Sequence, residues 1–247
     1  MNNIDFKSLE NNENFIIIKL NNTAKVIFSN AEKGISFNRN TEDGIKQLES
    51  LKEKFQVKDV VYLKQVHSDN IFTYVSDKPS IKDKEGDAII TNEKKVIVGV
   101  FTADCVPIIL VDEVNKVVAA IHSGWRGTFN SITFKTIAKM KKDYNCKPEN
   151  IKAYIGPHIR ECCYEVSEEL KARFLNEKSD IDKEKLFNKN NLNLESCIIS
   201  DLKKSGMLEN HINALGLCTY CNKEFKLHSY RKSKGDYGRM FAFVILE

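Results

Sequence analysis

Apolar residues in this chain come in short dense runs separated by polar, Asn- and Lys-rich stretches. Between residues 96 and 123 the runs VIVGVFTA, VPIILVD and KVVAAIHS are continuous rather than alternating, with EVN as a turn before the third. Continuous runs of that length belong to strands buried on both faces, so they predict the centre of a sheet. NFIIIKLNNTAKVIF, residues 14–28, predicts two strands around an NNT turn. KDVVYLKQVHSDNIFTYV alternates around Val61 and Leu63 and predicts a strand that delivers His67 at its end. The polar SDKPSIKDKEGD interrupts next.

Helical spacing appears elsewhere. Thr41 stands where it can cap a helix with Ile45, Leu48 and Phe55 inward. After GWRG, the residues Phe129, Ile132, Ile137, Met140 and Tyr144 fall near one stripe with lysines opposite, predicting a helix. AYIGP predicts a strand ending in a Gly-Pro turn. Ser167 followed by Glu168 and Glu169 is a helix start whose acids complement the dipole, with Leu170 and Phe174 inward. Residues 176–193 are polar and predict a surface excursion. A helix through Leu194, Ile198 and Leu202 stops at Gly206, and strands near HINALG and RMFAFVIL close the chain. There is no regular strand–helix–strand rhythm, internal repeat or linker. The expectation is one α+β domain over residues 1–247, with helices covering a large mixed sheet.

Composition narrows the function classes. With 247 residues, 42% of them hydrophobic, the chain can bury a core without disulfides or metal. Its 38 basic residues against 34 acidic ones leave a net charge of only +4, scattered along the chain. No basic stripe interleaved with aromatics marks a nucleic-acid groove. The opening MNNIDFKSLENNENF has no signal-peptide pattern, and no apolar run approaches the ~18 residues that span a bilayer, so no membrane is implied and a cytoplasmic location is expected. Seven cysteines, an odd number, are expected to be free thiols there.

Each cysteine can then be packing, metal ligand or nucleophile. His67 in KQVHSDN, Cys105 in TADCVP and His122 in AAIHSGWRG stand at strand ends or junctions and can converge at one rim of a sheet. Three such ligands with a fourth position left to water make a catalytic zinc site. The plainer reading is two hydrogen-bonded histidines and a small buried thiol. A third uses Cys105 as nucleophile, His122 as its base and Asp104 or Gln65 to orient or stabilise. GWRGT offers Arg126 and a helix start to an anion such as phosphate, or is simply a tight turn with Trp125 as a lid. Cys218 and Cys221 have the spacing of a zinc knuckle or a redox pair, whereas adjacent Cys162 and Cys163 are read as packing beside a site. HSYRKSKGDYGRMF gathers Ser229, Arg231 and Arg239 around glycines, suiting substrate contacts or an exposed hairpin. No P-loop, GxGxxG or H-x-E…P-C-x-x-C deaminase pattern occurs.

Taken in order, KQVHSD, GDAIIT, TADCVPIILVD, AAIHSGWRGT, IGPHIRECCYEV and CTYC…HSYRKSKGDYGRMFAF resemble the YfiH family, the laccase-domain or polyphenol-oxidase-like proteins described as purine nucleoside phosphorylases. The resemblance runs from about Phe28 to the C-terminus. It implies a layered α/β/β/α domain related to bacterial toxin cysteine hydrolases, and zinc held by His67, Cys105 and His122. It further implies a glycosyltransferase that phosphorolyses adenosine, inosine and S-methyl-5'-thioadenosine, with adenosine deamination as a companion activity. Asp104 joins the three ligands as a catalytic candidate. Arg126, Gln65, Asn38, Ser229, Arg231 and Arg239 are candidates for substrate and phosphate contacts. The partners implied are purine nucleosides and phosphate, for a monomer or small homo-oligomer. Copper is an alternative occupant of the trio, but five histidines and no His-x-His pair argue against multicopper oxidation. The chief rival is a cysteine hydrolase acting through Cys105 on an amide or ester such as a peptidoglycan precursor. A non-catalytic partner module would have no need of a cysteine between two such histidines. Three departures bear on substrate preference, one of them the degenerate FSNAEKGISFN segment that ends in Asn38. The Asn-Arg pair that family members often carry in the first helix is missing from TEDGIKQLESLKEKF, and His158 stands where a small residue usually follows IGP.

Overall fold

The structure is a computed structural model that describes residues 1–4, 10–12, 14–235 and 237–247, with backbone alone for 10–12. Among the described residues two large sheets stack face to face. The first has seven strands, in spatial order Asn2–Asn3, Ile212–Ala214, Ile151–Ile155, Val106–Asp112, Val117–Ser123, Ala88–Thr91 and Ile71–Thr73. The second has six: Glu10–Asn12, Phe15–Leu20, Ala24–Ser29, Met240–Leu246, Val96–Thr102 and Asp59–Val61. Each sheet mixes parallel and antiparallel pairs.

Residue alternation explains the continuous apolar runs. Ile108 and Leu110 face the helices, whereas Ile109 and Val111, one residue on, face the other sheet, and all four are fully buried. The inter-sheet core also takes Val98, Val100, Val118, Ala120 and Val244. On the outer face of the seven-stranded sheet lie the helices Ile132–Tyr144, Glu168–Glu177 and Leu194–Lys204, through Ile137, Met140, Phe174, Ile198 and Leu202. The helix Glu42–Phe55 covers the six-stranded sheet with Leu48 and Leu51 against Phe241 and Phe243. The layers are therefore α/β/β/α.

The mixed sheet expected from the apolar runs is present as two stacked sheets, in the α/β/β/α layering that the resemblance implied. Val96–Thr102 belongs to one sheet and its two successors to the other, so the chain changes sheet at Ala103–Cys105. Asp104 makes that corner with φ of 90°, a left-handed value that a residue with a Cβ seldom adopts.

Local signals place most helix ends. Thr41 Oγ1 accepts the Gly44 N–H at 3.2 Å, and Ser167 Oγ accepts that of Leu170 at 3.3 Å. Ile45, expected inside, is 46% exposed, and Leu51 takes its place. The helix expected after GWRG begins at Trp125 and breaks at Ser131, whose φ is 56°, before resuming at Ile132. The stretch expected as a surface excursion carries a short helix, Lys183–Leu186, and a hairpin, Phe187–Asn188 with Asn191–Leu192. Leu186, Phe187 and Leu192 reach the core from it. Those three apolar side chains anchor a stretch whose other residues stay mostly exposed.

Candidate active site

Three chain segments meet at one end of the stacked sheets. Cys105 lies at the corner between sheets, and His122 lies on the strand Val117–Ser123. His67 is not at a strand end as expected. The strand Asp59–Val61 stops early and His67 sits in the following connection, at φ of 59°. Even so, the His67 Nε2 and Cys105 Sγ are 3.7 Å apart, and one ligand atom from each of His67, Cys105 and His122 lies within 4.8 Å of the others. The two imidazoles meet edge to face, ring centroids 4.9 Å apart.

Asp87, fully buried, organises the group. Its Oδ1 lies 2.8 Å from His122 Nδ1 and accepts the His67 N–H at 3.1 Å, while Oδ2 accepts the Ser68 N–H at 2.6 Å and the Ser68 hydroxyl at 2.7 Å. One carboxylate thus orients one imidazole directly and fixes the backbone turn that carries the other. With Nδ1 engaged, His122 keeps Nε2 for the Cys105 side. Burial by itself would raise the Asp87 pKa, yet the His122 hydrogen bond and charge hold it below the usual carboxylate range. The sequence reading did not single out Asp87. Its signal was an acid opening the apolar strand of GDAIIT.

Burial also opposes ionisation of Cys105, but the His122 charge and hydrogen bonds from both imidazoles bring its thiol down to about 6. His122 moves the opposite way, to about 9: burial opposes its charge, and the Cys105 thiolate and Asp87 outweigh that cost. Two imidazoles and a thiolate, one imidazole braced by a carboxylate, form a donor set that fits a divalent ion of the zinc type. Gly124 lets the group close up. A Cβ there would stand 2.8 Å from His67 Cδ2 and 3.0 Å from Cys105 Sγ.

These residues lie in a cavity of about 760 Å³. Of the expected contact residues, Asn38, Gln65, Asp104, Arg126, Arg231 and Arg239 line it. Ser229 does not. It is buried and caps the short helix Tyr230–Ser233 by accepting the Lys232 N–H. Gln65 holds the backbone of Phe101 through both ends of its amide, at 2.8 and 2.7 Å. Asp104 accepts the Thr219 hydroxyl at 2.5 Å and the Arg231 N–H at 2.7 Å, so its carboxylate fixes the corner beside Cys105. The reading also missed a set of aromatic liners, Phe101, Tyr164, Tyr230 and Tyr237, together with Arg39, which follows Asn38 ahead of the first long helix. Arg126 stacks over Trp125 at 5.0 Å and forms no ion pair among the described residues. Of the other histidines, His158 and His228 bond backbone carbonyls, and neither they nor His211 joins the trio.

A family profile described as "Multi-copper polyphenol oxidoreductase laccase" matches residues 17–247. The chain belongs to this family. Within the laccase-domain or YfiH family, similar proteins include one named purine nucleoside phosphorylase from Clostridium acetobutylicum, 48% identical over 88% of this chain and 90% of that protein. Another of that name, from Borreliella burgdorferi, is 36% identical over 71% of this chain and 75% of its own length. Among solved structures, the Bacillus licheniformis hypothetical protein YfiH shares the fold at a TM-score of 0.87, with 22% identity over 96% of this chain and 98% of that one. YlmD from Geobacillus stearothermophilus gives a TM-score of 0.83 at 23% identity, with 96% and 98% of the chains covered. No helix among the described residues is long and apolar enough to cross a membrane.

Proposed function

We propose that this chain is a zinc-dependent purine nucleoside phosphorylase, acting on adenosine, inosine and S-methyl-5'-thioadenosine, with adenosine deamination as a companion activity. The observation that carries the reading is the convergence of His67, Cys105 and His122 in a cavity walled by aromatic rings and arginines. The names of the Clostridium and Borreliella relatives support it.

His67, Cys105 and His122 would hold the ion, which supplies a Lewis acid with an open coordination position when bound. The chain's own side chains do the rest. Tyr164, Tyr230 and Tyr237 line the cavity and supply aromatic surface for a purine, with Arg231 over the Tyr164 ring and Arg239 over that of Tyr237. Arg126, with no carboxylate partner among the described residues, is the side chain for phosphate, with Arg231 and Arg239 as alternates. In phosphorolysis a phosphate oxygen bonds to the ribose carbon as the bond to the base breaks, its electron pair leaving with the purine, which takes up a proton. Holding the phosphate and ribose in line supplies the proximity such a displacement needs. Asp87 and Asp104 are positioning residues here, because each acts through the ligands or the backbone beside them.

The geometry favours this reading over a cysteine hydrolase, which needs one imidazole as base, whereas Cys105 here has two imidazoles at hand. Incubation with adenosine, with and without phosphate, tests it. Adenine and ribose 1-phosphate should form only with phosphate, inosine should form without it, and Cys105→Ala should abolish both. Zinc-independent release of an acid from an ester, with a trapped acyl-enzyme, would replace it by the hydrolase.

A further inference from the structure

Six of the seven cysteines lie outside the site described above, and four of them come together elsewhere. The sulfurs of Cys162, Cys163, Cys218 and Cys221 all lie within 4.8 Å of one another, and none is in a disulfide. Two turns build the group. Cys162 and Cys163 lie in a turn closed by Arg160, whose carbonyl accepts the N–H of Cys163 at 2.8 Å and of Tyr164 at 2.9 Å. Cys218 and Cys221 lie in a second turn, closed by Asn222 N–H to Cys218 O at 3.0 Å. A short parallel bridge ties the turns: His158 N–H donates to Leu217 O at 3.2 Å and Thr219 N–H to His158 O at 2.9 Å. Arg160 adds a bond from Nη1 to Gly216 O at 2.9 Å.

We infer that Cys162, Cys163, Cys218 and Cys221 form a second, tetrathiolate zinc site that braces these two turns against each other. Packing does not explain the group, because Cys162 and Cys221 are exposed and thiols that serve as small apolar side chains are buried. Spacing agrees with an ion at the centre. Tetrahedral bonds of about 2.3 Å put neighbouring sulfurs about 3.8 Å apart, and Cys162 Sγ and Cys221 Sγ are 3.6 Å apart. An all-sulfur set excludes magnesium and calcium and binds zinc more tightly than iron(II). Binding replaces the four S–H protons, which pass to solvent. The backbone amides of Arg160, Cys221 and Tyr220 face the Cys218 sulfur and would offset part of the charge of the loaded cluster.

The brace lies behind the cavity wall. Ile159 and Tyr164, which flank the first turn's cysteines, line the cavity, and Thr219, inside the second turn, holds Asp104. The ion would therefore stiffen the wall without touching substrate.

Zinc counting on the full chain, reduced, supplied with zinc and desalted, tests the inference. Wild type should carry two ions, His67→Ala/Cys105→Ala one, and Cys162→Ser/Cys221→Ser one. Failure of the two sites is thereby distinguishable: a His67→Ala/Cys105→Ala protein with no zinc overturns the tetrathiolate, whereas a Cys162→Ser/Cys221→Ser protein with none sinks the catalytic trio. Cobalt(II) added to metal-free His67→Ala/Cys105→Ala should give sulfur-to-cobalt charge-transfer bands and tetrahedral visible bands, both displaced by zinc. Octahedral cobalt bands, or intact masses showing cysteines oxidised in place of metal, overturn the inference even where the serine variant fails to fold.

Discussion

Asp87→Asn is the most informative single substitution. The side chain keeps its shape but loses its charge and one acceptor. In the wild type the carboxylate meets donors on both oxygens: His122 Nδ1, the N–H groups of His67 and Ser68, and the Ser68 hydroxyl. An amide can turn its oxygen to only one side, so its NH2 group must confront either the imidazole or the Ser68 N–H. Either choice loses charge-assisted bonds that contribute about 1.5–3 kcal/mol each, in a place closed to bulk solvent. Loss of such a supporting carboxylate weakens metal affinity by about 10–100-fold, or roughly 1.4–2.7 kcal/mol. Because Asp87 also fixes the turn that carries His67, the upper end is expected. Competition against a chromophoric chelator measures the zinc dissociation constant, with near-ultraviolet circular dichroism as the check on folding. Ser68→Ala, which leaves the carboxylate in place, should cost under about tenfold. A folded Asp87→Asn protein whose zinc affinity stays within about threefold of wild type would refute the role given to this residue.

Gly124→Ala should lower zinc content and phosphorolysis together while leaving thermal unfolding of the metal-free protein nearly unchanged, since its Cβ would press on His67 and Cys105; full zinc occupancy in the variant would contradict that. Arg126→Ala should raise the KM for phosphate more than that for nucleoside, and steady-state kinetics with an unchanged phosphate KM would remove the assignment. With metal stripped, iodoacetamide at neutral pH should label Cys105 well before Cys146, whose thiol burial pushes far up, and zinc should protect Cys105; peptide mapping reads the order. Lys178→Ala strands buried Asp201, now 3.7 Å from the ammonium, and should destabilise by about 3–5 kcal/mol in urea denaturation while both KM values hold.

The pairing of apolar runs into strands was legible because strands buried on both faces leave unbroken hydrophobic stretches, as in VPIILVD. Caps at Thr41 and Ser167 were legible because they act within three residues. Short polar segments were not. Leu186, Phe187 and Leu192 show no period of their own and take their place only from the core they enter. The three candidate ligands were named from the sequence, but Ser229 had the composition of a contact residue and the geometry of a helix cap.

By itself the sequence determined which segments bury themselves, where most helices begin, and which imidazoles and thiols were available for chemistry. Those are local properties of chain and side chain. Tertiary structure decided that Val96–Thr102 and Val106–Asp112 part into different sheets, that Asp87 joins two ligand segments, and that four cysteines from two distant turns share one locus. Each of these depends on through-space distance between residues remote in sequence, and distance of that kind is set only when both sheets and their helices close on a common core.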